Sequence, residues 1–399
     1  MRKLLLGTTA VIGAALLAAP AVQAQEAPTV RISGWVQFDF AYIDDRLDRQ
    51  AIGIDGNTRR QQQYDMRTDS RITVRGGGKT ATGLAYSATI VLEPTTANVT
   101  SDQVYITLAS PTLGTVHLGD LRGAATLMQV RAPLPFGFNT ATTFYALRAD
   151  FPGNAASSQL RDMFRGISHA NDSTKFTYLS PQFAGFDLGF SFSPTGAERS
   201  YSGPARSVAG FNRNQIQLAL RYRGNFGGVG VAAGFGMVHA SRPTGATGVR
   251  NPDGYTFGLN VSYAGFRLGG EYSFGNYRGR DVGRPANAVM HLPRGNNQSQ
   301  QWIIGAGYSF APFGVGIAYG QSYQDFRDQG VANNQGVVRN GRNFRMETLQ
   351  VGGTYAIAPG LSAFALYHYS TTRNQPFLPA ALNGRRNINS FIVGTRLSF

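Results

Sequence analysis

The chain contains no cysteine, which excludes disulfide frameworks, thiolate metal sites and cysteine nucleophiles together. Charge is scarce: Asp, Glu, Lys and Arg supply 15% of 399 residues, too little for the solvated surface of a helical bundle. Lysine is nearly missing, occurring only at positions 3, 79 and 175. After the first two dozen residues no apolar run of helix length occurs, and mean hydropathy is −0.19, so no later membrane helix is expected. A strand that meets oil with alternate residues escapes that test.

What is abundant points the same way. Fifty glycines and 12% aromatic residues describe turns and rings, and large β-structures often use such a length as one unit. Arg2 and Lys3 precede an apolar run from Leu4 to about Ala18; Pro20 breaks it, and Val22 to Ala24 supply small residues. This reads as a secretory signal, residues 1–24, cut after Ala24. Its removal lowers the formal charge of +15 by two, so the basicity belongs to the mature part, residues 25–399, read as one domain.

Alternation organises that mature part into sixteen candidate strands. Val30, Ile32, Val36, Phe38, Phe40 and Tyr42 share one face, and Arg31, Ser33, Gln37 and Asp39 the other. Ile216, Leu218, Leu220 and Tyr222 oppose Gln215, Gln217, Arg221 and Arg223, while Phe266, Leu268, Tyr272 and Phe274 oppose Arg267, Glu271 and Ser273. At the C-terminus Phe391, Val393, Thr395, Leu397 and Phe399 oppose Ser390, Gly394, Arg396 and Ser398, with Ile392 as the exception. Each strand has an oily face with aromatic ends and a wet face.

Connections alternate too. Short links fall near Gly76 to Gly83, Ser110 to Gly114, Ser180 to Gly185, Gly224 to Gly228, Ala264 to Gly265, Ala311 to Phe313 and Ala358 to Gly360. Mostly longer ones fall near 44–65, 94–100, 121–172, 195–212, 242–253, 276–298, 326–343 and 373–387. A sandwich has no reason to sort loop length by side, whereas an outer-membrane barrel puts tight turns at one rim and long loops at the other. The fold expected is all-β, a 16-stranded antiparallel transmembrane β-barrel. The last strand closes on the first, because an open edge in hydrocarbon leaves polar groups unpaired.

The signal, the alternating strands, the passage Lys175 to Pro194 and the terminal Phe399 resemble the general-diffusion porins of Gram-negative bacteria, particularly alphaproteobacterial ones. The resemblance implies a water-filled outer-membrane channel for passive diffusion of small hydrophilic solutes and ions, and usually a homotrimer. It implies no cofactor. Its partners would be outer-membrane lipids, lipopolysaccharide and the barrel-assembly machinery, which reads Phe399 as an assembly signal. It also implies that the third long connection, 121–172, folds inward as a constriction loop, carrying Arg122, Arg131, Phe136, Arg148, Asp150, Arg161, Asp162 and Arg165. Pro133 to Asn139 only faintly echoes the Pro-x-Phe-Gly-Gly stretch of enterobacterial members, and the acidic residues beside it are absent, so selectivity does not carry over from them.

The wet parity places Arg31, Arg67, Arg71, Arg75, Lys175, Arg221, Arg223, Arg267 and Arg396 along the channel, against Asp39, Asp69, Glu93, Asp187 and Glu271. Arg67, Arg71 and Arg75 stand about 13 Å apart in turn, a ladder up one wall. Arginine stays protonated, so a weak preference for anions is expected. Several of these arginines are equally explained as partners of Asp39, Asp69 or Glu271 that stiffen the wall. Trp35 and Tyr105 share the inward parity but are too scattered for a sugar track.

Other classes carry less. His368 and Ser370 share a parity, yet no third orienting group lies near them, and the five histidines show no metal-ligand spacing; no enzyme is expected. Asp44, Asp45 and Asp48 lack a calcium-loop pattern. The basic residues are dispersed without a recognition helix, against nucleic-acid binding. The alternatives kept are a substrate-specific channel and a surface barrel acting structurally or binding partners through its long loops.

Overall fold

In the computed structural model, sixteen alternating segments pair edge to edge into one closed antiparallel sheet. The structure describes residues 28–45, 63–94, 99–133, 167, 172–196, 212–242, 251–276, 299–324, 330–333, 336–339, 344–373 and 385–399. The first half of the wall is β1 (Thr29–Asp45), β2 (Tyr64–Lys79), β3 (Ala85–Glu93), β4 (Thr100–Ser110), β5 (Gly114–Asp120), β6 (Thr174–Leu179), β7 (Phe186–Thr195) and β8 (Arg213–Phe226). A short helical turn, α1 (Ala124–Leu127), follows β5. The second half begins with β9 (Val229–Ser241), β10 (Asp253–Tyr263), β11 (Phe266–Asn276), β12 (Ser299–Phe310) and β13 (Phe313–Gln324). A separate hairpin, β14 (Gly330–Asn333) with β15 (Gly336–Arg339), interrupts it before β16 (Phe344–Ala358), β17 (Leu361–Arg373) and β18 (Arg386–Ser398) complete the wall.

Closure is made by β18 on β1, in register from Trp35 opposite Ser398 to Asp45 opposite Ile388. The final residue takes part: Gly34 N–H donates to Phe399 O at 2.9 Å, and Phe399 N–H donates to Gly34 O at 3.0 Å. No barrel edge is left to compete for partners. The links sort as expected, with two residues at Gly227 and Gly228, Ala264 and Gly265, Ala311 and Pro312, and Pro359 and Gly360 on one rim. At the β10–β11 link both residues have positive φ, 47° and 86°, the left-handed geometry that matches strand twist and that glycine adopts freely.

Two boundaries differ from the alternation reading. Gly76, Gly77 and Gly78 belong to β2 rather than to a turn: a Cβ on Gly77 would stand 2.4 Å from Tyr86 O, so the missing side chain lets β3 approach. The hairpin of β14 and β15 lies inside the connection that reading placed at 326–343.

The outer wall is oily. Ile32, Leu188, Leu268 and Ile304 are each more than half exposed, a surface that water would not tolerate at this extent. Rings border it at both rims. Towards the short turns Phe266, Tyr308, Phe310, Phe313 and Tyr355 form a chain with successive centroids 4.1 to 5.6 Å apart. Towards the long links Trp302 meets Tyr319 at 5.5 Å and Tyr367 meets Phe391 at 4.9 Å. Two girdles around an apolar band are what a bilayer-spanning barrel presents.

A candidate channel and its lining

Side chains of the opposite parity point inside, where guanidiniums outnumber carboxylates. Arg31 and Arg75 stand directly opposite on β1 and β2, a like-charge pair that a sheet does not favour. Both are exposed, and Arg75 Nε donates to Ser87 Oγ at 3.2 Å. Higher on β2, Arg71 bonds Glu93 at 2.6 Å and also Asp102, and Arg67 bonds Asp69. Across the barrel Arg221 grips Asp187 with two N–H groups, at 3.1 and 2.5 Å, while Arg223 shares the same carboxylate at 3.0 Å. Arg396 lies 4.2 Å over the Trp35 ring, a cation–π contact. Among the described residues Arg31, Arg75 and Arg267 make no ion pair.

Asp102 was not anticipated as an inward group. Counted from Val104 and Ile106, both exposed to the outside, it falls on the oily parity. The β3–β4 register slips between Val91 and Leu92 so that Asp102 is skipped, and the bulge turns its carboxylate to Arg71.

The described limbs of the third long connection lie on the inner wall. Ala124 N–H donates to Ser191 Oγ at 2.7 Å, Ala125 N–H to Gln217 Oε1 at 3.1 Å, and Asn260 Nδ2 to Arg131 O at 2.7 Å. Ala124 and Met128 pack on Ala219, Ala132 packs on Ile303 and Ala318, and the returning limb at Ile167 meets Ala125 and Val238. The wall beneath is grooved by glycine. A Cβ on Gly258 would lie 1.8 Å from Val130 O, one on Gly305 2.0 Å from Pro133 O, and one on Gly189 2.4 Å from Met128 Sδ. Sequence reasoning passed over these glycines, although their common inward parity was visible.

Three expected lining residues are buried, two of them by this segment. Lys175, 4% exposed, donates to the carbonyls of Leu121 and Ser173 and is buried beneath the segment's start. Glu271, 8% exposed, accepts the Ala132 N–H. Asp39 is fully buried and held by Gln37 Nε2 at 2.9 and 3.0 Å. All three point inward, but the segment covers Lys175 and Glu271, and Asp39 is packed among Gln37 and Gly394 of the wall itself. Arg122 and Arg131 are placed with the described limb; Phe136, Arg148, Asp150, Arg161, Asp162 and Arg165 lie outside the described residues, as does Asp48.

The interior also has a dry part. Ala41, Ile43, Phe364, Leu366, Ile388 and Ile392 form a cluster on the inner side of β1, β17 and β18, each at most 5% exposed. Ile392, the exception to alternation, is fully buried there. Beside it His368 meets Thr348 Oγ1 through Nε2 at 2.6 Å and Gln350 Nε2 through Nδ1 at 3.4 Å. Its ring is engaged within the wall, and Ser370 is 1% exposed, so neither is presented to a substrate. Tyr105 packs edge-on to His117 at 5.6 Å. Among the described residues no group of His, Asp and Glu could hold a metal ion.

Comparisons with known proteins agree with this geometry. No curated protein matches the sequence. Solved structures share the fold at low identity. The anion-selective porin of Comamonas acidovorans superposes with a TM-score of 0.57 at 18% identity, covering 94% of this chain and 100% of that one. OmpT of Vibrio cholerae in a trimer form gives 0.54 at 12%, covering 94% and 100%. A loop L8 deletion mutant of OmpT gives 0.56 at 14%, covering 94% and 100%. The family model of Gram-negative porins matches residues 8–375. With its closed sixteen-strand wall, its two aromatic girdles and that match, the chain belongs to the Gram-negative porin family and resides in the outer membrane.

Proposed function

We propose that the barrel passes small hydrophilic solutes and ions by passive diffusion and weakly prefers anions. The observation that carries the preference is the inward guanidinium surplus: Arg31, Arg75 and Arg267 have no carboxylate partner among the described residues, and Arg221 and Arg223 share one. Arginine keeps its charge at any physiological pH. In a narrow aqueous passage that fixed field gathers anions, and salt screens it over about 8 to 10 Å. The fold is compatible with this preference, since a solved porin sharing it is anion-selective.

The test is the reversal potential of the purified protein in a planar bilayer under a salt gradient. A potential of the anion-selective sign is expected, and clear cation selectivity would overturn the reading. An inserted barrel that never opens would favour the structural or loop-binding alternative. Asp187→Asn gives a sharper version. Removing that carboxylate leaves Arg221 and Arg223 without their shared counter-charge, so the reversal potential should move further in the anion direction.

Other features belong to the same reading. Residues 121–172 narrow the passage as a constriction loop, the chain assembles as a homotrimer, residues 1–24 direct export and are cut off after Ala24, and Phe399 serves the barrel-assembly machinery.

A further inference from the structure

We propose that Arg345 and Arg373 hold a phosphate of lipid A against the outer face of the barrel, at the rim of the long connections. Unlike the lining arginines described above, these two point outward. On β16 the outward residues Val351, Tyr355 and Ile357 are 43 to 48% exposed. No register shift separates them from Arg345 until Ala356, so Arg345 and Glu347 share the outward face. Arg373 has the parity of Ala365 and Tyr367 on β17 and stands directly opposite Arg345.

Two like charges facing each other across a ladder are unfavourable without a shared counter-charge. The protein supplies half of one. Glu347 accepts Arg345 Nε at 3.1 Å, but Arg373 Nη2 stays 3.8 Å away. The Arg345 and Arg373 side chains remain 43% and 48% exposed, so one carboxylate faces two cations that keep surface for a second anion.

Depth identifies that anion. Tyr319 O–H reaches up to Glu347 at 3.4 Å, Gln321 Nε2 donates to the same phenol at 3.0 Å, and Tyr367 O–H donates to Asn389 Oδ1 at 2.9 Å. Rings with their bodies in oil and their tips in polar contact mark a membrane boundary. The two guanidiniums sit just beyond it, at headgroup level. In outer-membrane barrels the long-loop rim faces the cell exterior, where the leaflet is lipopolysaccharide and its lipid A carries phosphates. A pair of planar forks matches a phosphate oxygen set, and the charge surplus complements an anionic surface. A second copy docked here would have to bury the surplus cation or bring its own carboxylate; the lipid brings its counter-charge with it.

The proposal rests on the outer-membrane placement and is independent of ion preference, because the reversal potential reads the inner wall. The experiment is native mass spectrometry of the refolded full-length protein in detergent with lipid A carrying both phosphates, and with the same lipid stripped of them. Wild type should retain the phosphorylated form preferentially. R345Q/R373Q should bind it roughly 25-fold more weakly, about fivefold for each guanidinium lost at an anionic surface, with conductance unchanged. R345K/R373K should restore part of the loss. Equal retention of the two lipids by wild type would overturn the proposal without recourse to any variant, as would undiminished binding by R345Q/R373Q. Displacement of lipid A by inorganic phosphate would reassign the site to the free ion. A change in subunit stoichiometry with lipid binding intact would make the pair a contact between copies.

Discussion

Substituting valine for Gly258 and Gly305 together is expected to raise single-channel conductance and to admit larger solutes. Each position lies under backbone of the inner segment, with Val130 O 1.8 Å and Pro133 O 2.0 Å from where a Cβ would stand. Backbone cannot rotate away as a long side chain can. Overpacking costs about 1 to 3 kcal/mol per site, so two sites cost roughly 2 to 6 kcal/mol. The strain falls on the stretch from Val130 to Pro133, whose own hydrogen bonds are Asn260 to Arg131 O, about 1 kcal/mol net, and Ala132 N–H to Glu271, about 1.5 to 3 kcal/mol. There the strain is comparable with the attachment, so this stretch should lift from the wall while the start of the segment stays bound to Ser191, Gln217 and Lys175. Gly76→Val serves as the control, since the nearest atom to its added Cβ is Val30 Cγ2 at 3.8 Å. A double variant that folds, inserts and conducts like wild type would remove the constriction role from this segment.

Ile392→Ala is expected to cost about 3 kcal/mol of barrel stability, near the middle of the range for emptying a buried isoleucine site. Val393→Ala, one residue on, should cost only about 0.5 kcal/mol, as for surface positions in general. Alternation alone would assign the opposite ranking, because Val393 lies on the oily parity and Ile392 on the wet one. Register explains the reversal. Ile392 lies between Ala41 on β1 and Leu366 on β17 and is fully buried, whereas Val393 is 50% exposed on the outside. Urea unfolding of the refolded protein, followed by tryptophan fluorescence, measures both. Equal costs, or a larger cost at Val393, would mean that the inner apolar cluster does not hold the closing strands together.

The arginines of β1, β2, β8, β11 and β18 were legible one strand at a time, because side-chain direction along a strand repeats every two residues. The closing role of the C-terminus was legible for the same reason. Asp102 was not, since a bulge inserts a residue and inverts the parity that follows. The burial of Lys175 and Glu271 was not legible either. It depends on chain brought over them from elsewhere, and parity says nothing about what lies above a side chain. The glycine groove was hidden among fifty glycines: the shared inward parity of Gly189, Gly258 and Gly305 was readable, but not that chain from another segment lies over them. Arg345 and Arg373 carried the outward parity in plain view, yet their meeting needed the β16–β17 register.

The sequence by itself determined that alternate residues along sixteen segments would divide oil from water, and that the first and last segments would have to meet. Both follow from local geometry and from the cost of unpaired backbone groups in hydrocarbon. The tertiary structure alone decided which inward charges are neutralised, which part of the interior is dry, and where the third connection rests. Those outcomes depend on register between strands and on contacts between residues far apart in the chain, where a shift of one residue exchanges every neighbour.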